Sequence, residues 1–307
     1  MSDQPIASFI RGNKPLRDLG RVLRGQSTVE VVVRPKSHQL VRFDYPVEPE
    51  ARYGYGKPPH QELYRILDRH REAYAATLRG FVGLKDSLRQ ISVEMTVSPE
   101  EPYWNNCWFE GLDLISLYGF LVEARPRRYV EVGSGCSTKL ARRAIRDHRL
   151  PTTIMSIDPS PRAEVDALCD RVVRAPLERA ELSLFEDLEE GDVLFLDGSH
   201  RCLMNSDATV ALLEVLPRLK RGVIVHVHDI FLPYDYPPEW AGRFYSEQYL
   251  LAAWLLAEGD RIDVLLPNAF VVNDSRLARE LDPLWDDDDL VRVRQKLAGQ
   301  SFWLSIR

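Results

Sequence analysis

Between residues 128 and 306, short apolar runs alternate with longer amphipathic ones, and this alternation constrains the fold more than any other feature. Arg128–Val132, Thr153–Asp158, Arg171–Arg174, Val193–Asp197 and Gly222–Ile230 read as strands bounded by turn residues. Ser137–Arg146, Arg162–Cys169 and Asp207–Leu216 read as helices between them, and Ser246–Glu258 as a helix after the fifth strand. Ile262–Leu266 with Ala269–Val272, then Ser301–Ile306, supply the last two strands. Helices between strands mean crossover connections, hence an α/β fold with a mostly parallel sheet covered on both faces. In such sheets ligands bind at the carboxyl ends of the strands, so the polar residues just after each strand are the ones to examine.

Upstream, Phe109–Leu121 forms a helix that stops before Pro126. The first hundred residues are irregular, with Gly and Pro punctuation at Tyr53–Pro59, a helix over Gln61–Leu78 and a strand over Ile91–Val97 ending at Pro99. The expected division is an N-terminal extension or cap over residues 1–100 and a nucleotide-binding domain over 101–307. The extension has two candidate uses, closing a substrate site or forming a homodimer interface.

The net charge of −6 gives no general attraction for nucleic acid. Residues 1–43 are an exception, with eight Lys/Arg against three acids, and read as a solvated flank docking on the acidic body. Asp286–Asp289 reads as a solvated loop. Cys107, Cys136, Cys169 and Cys202 form no CxxC pair, which argues against a zinc ribbon or redox motif. No signal-like segment opens the chain, and no apolar run approaches the ~20 residues of a membrane span. A cytoplasmic, soluble enzyme is the expectation.

The first strand ends Glu131-Val132-Gly133-Ser134-Gly135, and its helix follows at once. Glycines let the backbone turn and approach a ligand, while the helix start offers free N–H groups. The second strand ends in Asp158, placed to accept hydrogen bonds from both hydroxyls of a ribose, although Asp is also a common helix N-cap. A dinucleotide fingerprint would carry a third glycine where Thr138 stands, and no Walker loop is present. Glu131 suits a cationic or hydroxyl-bearing ligand better than a pyrophosphate. S-adenosylmethionine, a sulfonium without phosphate, fits this pattern best.

At the reaction end, strand four closes with Asp197-Gly198-Ser199-His200 and strand five with His226-Val227-His228-Asp229. Parallel strand ends converge, so Asp197, His200, His228 and Asp229 are candidate catalytic residues. His226 lies deeper in its strand and reads as a core histidine. Tyr234, Asp235, Tyr236 and Trp240, in a Pro- and aromatic-rich loop, are candidate substrate-wall residues, with packing as the alternative. Pro102–Asn106 is a similar segment.

Tyr129–Thr138, Asp158-Pro159, Asp192–His200 and Gly222–Asp235 resemble class I S-adenosylmethionine-dependent methyltransferases, in particular a methyltransferase-24-like group related to catechol-type O-methyltransferases. The resemblance covers about residues 100–275 and implies a Rossmann-like, seven-stranded sheet whose last strand is antiparallel. It implies that Glu131, Gly133, Gly135 and Asp158 line the cofactor, joined as candidates by Ser134 and Asp197, with adenine near Ala175-Pro176-Leu177. Catechol-type enzymes hold a divalent cation at positions matched here by Asp197, His228 and Asp229, with His228 replacing an acid. Imidazole favours zinc, manganese or iron over magnesium. Their basic residue three positions after the strand-four acid is here His200, whose ordinary pKa near 6.5 suits a general base.

The resemblance therefore implies O-methylation of a small hydroxylated acceptor such as a sugar, phenol or glycolipid headgroup. It would proceed with metal-free His–Asp assistance or with a divalent cation. A nicotinamide-dependent oxidoreductase is the alternative that Thr138 opposes. A non-catalytic scaffold is the alternative that the four polar strand-end residues oppose.

Overall fold

The strand-forming runs pair into one sheet in the computed structural model, which describes residues 45, 47–161, 164–257, 261–286, 290–294 and 298–307. Its strands are β1 (Arg128–Val132), β2 (Thr153–Ile157), β3 (Arg171–Val173), β4 (Val193–Leu196), β5 (Ile224–Val227), β6 (Ile262–Pro267) and β7 (Phe302–Ile306). They lie in the order β3-β2-β1-β4-β5-β7-β6. The first five are mutually parallel, and β7 inserts antiparallel to both β5 and β6. The chain runs outward from β1 to β3, then returns across β1 to start β4. This reversal of direction between β1 and β4 opens a crevice at their carboxyl ends, because the connections leave toward opposite edges.

Five of the larger helices frame the sheet: α1 (Gln61–Asp68), α2 (Arg71–Val82), α3 (Leu112–Ala124), α4 (Cys136–His148) and α5 (Glu247–Leu256). Every residue of α3 from Leu112 to Leu121 is buried, as expected of a helix apolar on nearly all sides. Gly119 lets α2 approach it, since a Cβ there would collide with the Phe81 ring. Phe81 in turn packs edge-on to Phe120.

Several segments depart from expectation. The helix expected over 61–78 is two helices, broken at Arg69-His70, where Arg71 turns to bridge Asp68 and Asp274. Ile91–Val97 forms no strand. Its pairing is confined to a short contact with Tyr103–Asn105 (a bridge from Ser92 to Tyr103, and the Trp104 and Asn105 N–H groups donating to the Ser92 and Val93 carbonyls), and Met95 and Val97 beyond it are exposed. The helix expected over 162–169 is reduced, among the described residues, to a turn at Asp166–Leu168, tethered by Arg142 to the Leu168 carbonyl. Asp207–Leu216 begins as α-helix but widens into a π-turn over Ala211–Val215 and tightens before Leu219. Ala269–Val272 belongs to a short helix, α6 (Asn268–Val272), rather than to β6. Pro267 ends the strand, and Asn268 Nδ2 donates to Asp113 and Ser116 at 2.8 and 3.0 Å, turning the chain inward.

Residues 49–307 form one compact unit. The helices α1 and α2 pack within that body, against α5 and α3. The basic arm over residues 1–43 lies outside the described residues, as do Asp287, Asp288 and Asp289.

Candidate active site

The carboxyl ends of β1, β2 and β4, with the loop after β3, enclose a cleft of about 350 Å³. Val132–Ser134, Ile157–Ser160, Pro176–Glu178 and Asp197–Ser199 line it, with Ser206 and Asp207. Four carboxylates stand in this wall (Asp158, Glu178, Asp197 and Asp207), and among the described residues no Lys or Arg lines it. Such a wall repels phosphate and favours a cation. Pro176 and Leu177, from the expected adenine region, line the cleft together with Ile157.

The loop after β1 is bound to its neighbours on both sides. Asp158 accepts from the Ser134 N–H at 2.8 Å and from the Ser160 N–H at 2.7 Å, which leaves further lone pairs of its carboxylate for a ligand. Gly133 adopts φ +83°, and a Cβ there would collide with the Asp197 carbonyl oxygen, so this glycine lets the β1 loop pass directly over the end of β4. The Gly135 N–H is taken by Thr138 Oγ1 at 3.0 Å, at the start of α4.

Glu131, expected on the cofactor, is instead fully buried beneath the loop and is not among the cleft's lining residues. Its carboxylate accepts from the hydroxyls of Tyr129 and Ser137, each at 3.1 Å, and from Thr138. Burial pushes its pKa up to about 7 against the pull of those hydroxyls. Its position makes it the anchor of the loop: an acid facing inward from β1 needs partners, and the first turn of α4 supplies two of them.

Asp197 lines the cleft and also opens a second arrangement behind it. His200 Nε2 lies 3.2 Å from Asp197 Oδ1 and 3.3 Å from Asp229 Oδ2, and these three residues offer ligand atoms within 4.8 Å of one another. His200 Nδ1 lies 3.0 Å from Glu247 Oε2. Both His200 and Asp229 hold positive φ, 60° and 55°, a region that non-glycine residues rarely occupy outside constrained sites. Burial alone would lower the His200 pKa, but its hydrogen bonds to Asp197 and Glu247 override this and hold the pKa well above the ordinary imidazole range. That upward shift sets His200 apart from the ordinary imidazole with pKa near 6.5 that the sequence suggested. Burial raises Asp229, with His228 and His200 opposing, so its carboxylate is more basic than an ordinary aspartate. Asp197 moves the other way. Burial would raise it, but His228 and His200 together hold it below the usual carboxylate range.

His228 was expected beside Asp197 and Asp229 as a metal ligand, yet the convergent set contains His200 in its place. The His228 ring packs on Phe109 at 5.1 Å and reaches Asp229 Oδ1 at 3.7 Å through Nε2. His226 is a core residue, stacked on Phe195 at 4.0 Å and bonded to Ser301. Of the expected substrate wall, Asp235 is committed internally, accepting from the Arg52 and Tyr53 N–H groups and the Tyr249 hydroxyl. Tyr236 is buried, its hydroxyl accepting from the Gln248 N–H. Trp240 lines a separate aromatic cleft with Tyr236 and Tyr245, while Tyr234 faces a third with Leu63 and Tyr249. Glu247 is the site residue that sequence reasoning missed, because an acid in the first turn of a helix carries no mark distinguishing it from an ordinary dipole-favoured Glu.

Residues 130–230, from β1 to just beyond β5, match a family model described as a methyltransferase domain. Over 94 residues the chain is 32% identical to an uncharacterized protein of Archaeoglobus fulgidus, covering 29% of this chain and 42% of that protein. The chain thus matches less than half of that relative's length. Among solved structures, SAH-bound Podospora anserina methyltransferase PaMTH1 is 16% identical over 83% of this chain and 100% of that one, with a TM-score of 0.39. The Bacillus cereus O-methyltransferase in complex with SAH is 14% identical over 75% and 90%, with a TM-score of 0.34.

Proposed function

We propose that this protein is an S-adenosylmethionine-dependent methyltransferase that methylates a hydroxyl of a small acceptor. One observation carries the reading: Asp197 belongs both to a carboxylate-walled cleft at the β1–β4 crevice and to the Asp197–His200–Asp229 cluster. The cleft fits the cofactor by charge, since four carboxylates suit a sulfonium and an ammonium and would repel a dinucleotide's pyrophosphate. Asp158 would hold the ribose, Pro176 and Leu177 would flank the adenine, and the loop at Gly133 and Ser134 would hold the amino-acid end.

When bound, the cofactor supplies a methyl group on positively charged sulfur. Methyl transfer to an acceptor hydroxyl would require that oxygen to be held in line with the methyl carbon and its proton to be taken up by the protein. Asp229 takes that proton at its carboxylate, because burial makes it the more basic of the two strand-end acids. His200 Nε2, between Asp229 and Asp197, keeps both in place.

A second reading uses the same three residues to hold a divalent cation. Two carboxylate oxygens and one imidazole nitrogen form a set suited to manganese, iron or zinc rather than magnesium. Incubating the protein with methyl-tritiated S-adenosylmethionine and a panel of sugars and phenols, before and after exhaustive chelation, separates the two. Label transfer that survives chelation supports the proton-handling reading. Transfer restored only by added manganese, iron or zinc overturns it in favour of the metal, and transfer to no hydroxylated acceptor counts against O-methylation.

A further inference from the structure

We infer that Glu247 is a positioning residue for His200, holding the imidazole by its Nδ1 edge so that Nε2 is aimed between Asp197 and Asp229. The inference rests on the reading of that cluster as the reaction end of the site.

Four contacts from one segment converge on a single residue. The N–H groups of Ser246 and Glu247 both donate to the His200 carbonyl, at 2.8 and 3.2 Å. The Glu247 carboxylate accepts from Nδ1 at 3.0 Å. Tyr245 lays its ring 4.7 Å from the imidazole. The start of α5 therefore grips both the backbone and the side chain of a residue whose left-handed φ would otherwise be costly. Glu247 is 3% exposed and His200 4%. A carboxylate that far from water is expensive unless a specific partner offsets the cost, and among its described contacts His200 is the ion-pair partner.

The geometry also explains why the grip is at Nδ1. An imidazole has two polar edges, and fixing one with a carboxylate decides where the other points. With Nδ1 held by Glu247, Nε2 is the edge left for Asp197 and Asp229. A helix-start Glu serving only the α5 dipole would face solvent and need no such partner.

The test is 15N-histidine NMR on the full-length protein, with and without S-adenosylhomocysteine. The wild type is expected to show a downfield, slowly exchanging Nδ1 proton, assigned by its loss in His200→Gln. Glu247→Leu should abolish that signal. Glu247→Gln, which keeps an acceptor of the same reach without the charge, should keep the signal but move it upfield. The inference is overturned if the wild type lacks the signal, if Glu247→Leu retains it, or if Glu247→Gln leaves its shift unchanged. Should S-adenosylhomocysteine fail to bind the wild type, the methyltransferase reading falls, while the spectra still decide the role of Glu247.

Discussion

The Asp158 carboxylate accepts the Ser134 N–H at 2.8 Å, so the end of β2 is tied to the loop that leaves β1. One acid thereby shapes the cleft and faces its interior. Replacing it removes the tie together with the proposed ribose contacts. Charged hydrogen bonds are worth ~1.5–3 kcal/mol each, so Asp158→Ala should weaken S-adenosylhomocysteine binding by roughly 100-fold or more. Isothermal calorimetry of both proteins measures this directly. A loss under about threefold, less than a single such bond is worth, would remove Asp158 from the site.

Glu131 gives a pH dependence of stability. Its pKa is about 7 in the folded chain and near 4.5 when unfolded, so the folded state binds the extra proton between those values. Its contribution is full below pH 4.5 and is lost as pH rises through about 7, on the order of 3 kcal/mol by linkage. Urea unfolding across that pH range should therefore show a declining component that Glu131→Gln removes. An unchanged slope in that variant would contradict the assignment.

Gly133 should not tolerate a side chain. Its φ is +83°, and the Asp197 carbonyl occupies the space that a Cβ would need. Gly133→Ala therefore combines backbone strain with a clash against main chain that cannot swing aside. A loss of about 2–4 kcal/mol is expected, read as a lower denaturation midpoint. The same change displaces Asp197, so cofactor binding should weaken as well.

Asp192 holds the start of β1. It is buried and accepts the N–H groups of Arg127, Arg128 and Glu189 at 3.0, 2.8 and 3.0 Å. Asp192→Ala strands three donors and should cost about 2–4 kcal/mol in chemical denaturation, whereas Asp192→Asn should recover part of it.

The ends of β1, β2 and β4 were legible because each strand stops at a glycine or acid, and a parallel sheet gathers such ends at one edge. The same logic pointed to Asp158 and Asp197, which line the cleft, and to Asp229, which lies beside His200. It misplaced Glu131, since the residue's identity showed an acid but not that Tyr129, Ser137 and Thr138 would enclose it. It also set His228 among the candidate ligands in place of His200. Strand alternation gives the face of a strand residue such as His228, whereas His200 sits in a loop whose left-handed turn redirects the ring. Glu247 lies 47 positions from its partner, and no local pattern reports a contact of that range. Ile91–Val97 shows the converse, a sound strand pattern whose neighbour, Tyr103–Asn105, is too short to extend the pairing beyond Val93.

The central claim is that the carboxylate-walled cleft takes S-adenosylmethionine, and calorimetric titration with S-adenosylhomocysteine, run in parallel with NAD, tests it most directly. The account predicts one saturable site per chain for S-adenosylhomocysteine and no heat with NAD. Saturable binding of NAD, with none of S-adenosylhomocysteine at millimolar concentration, would contradict it.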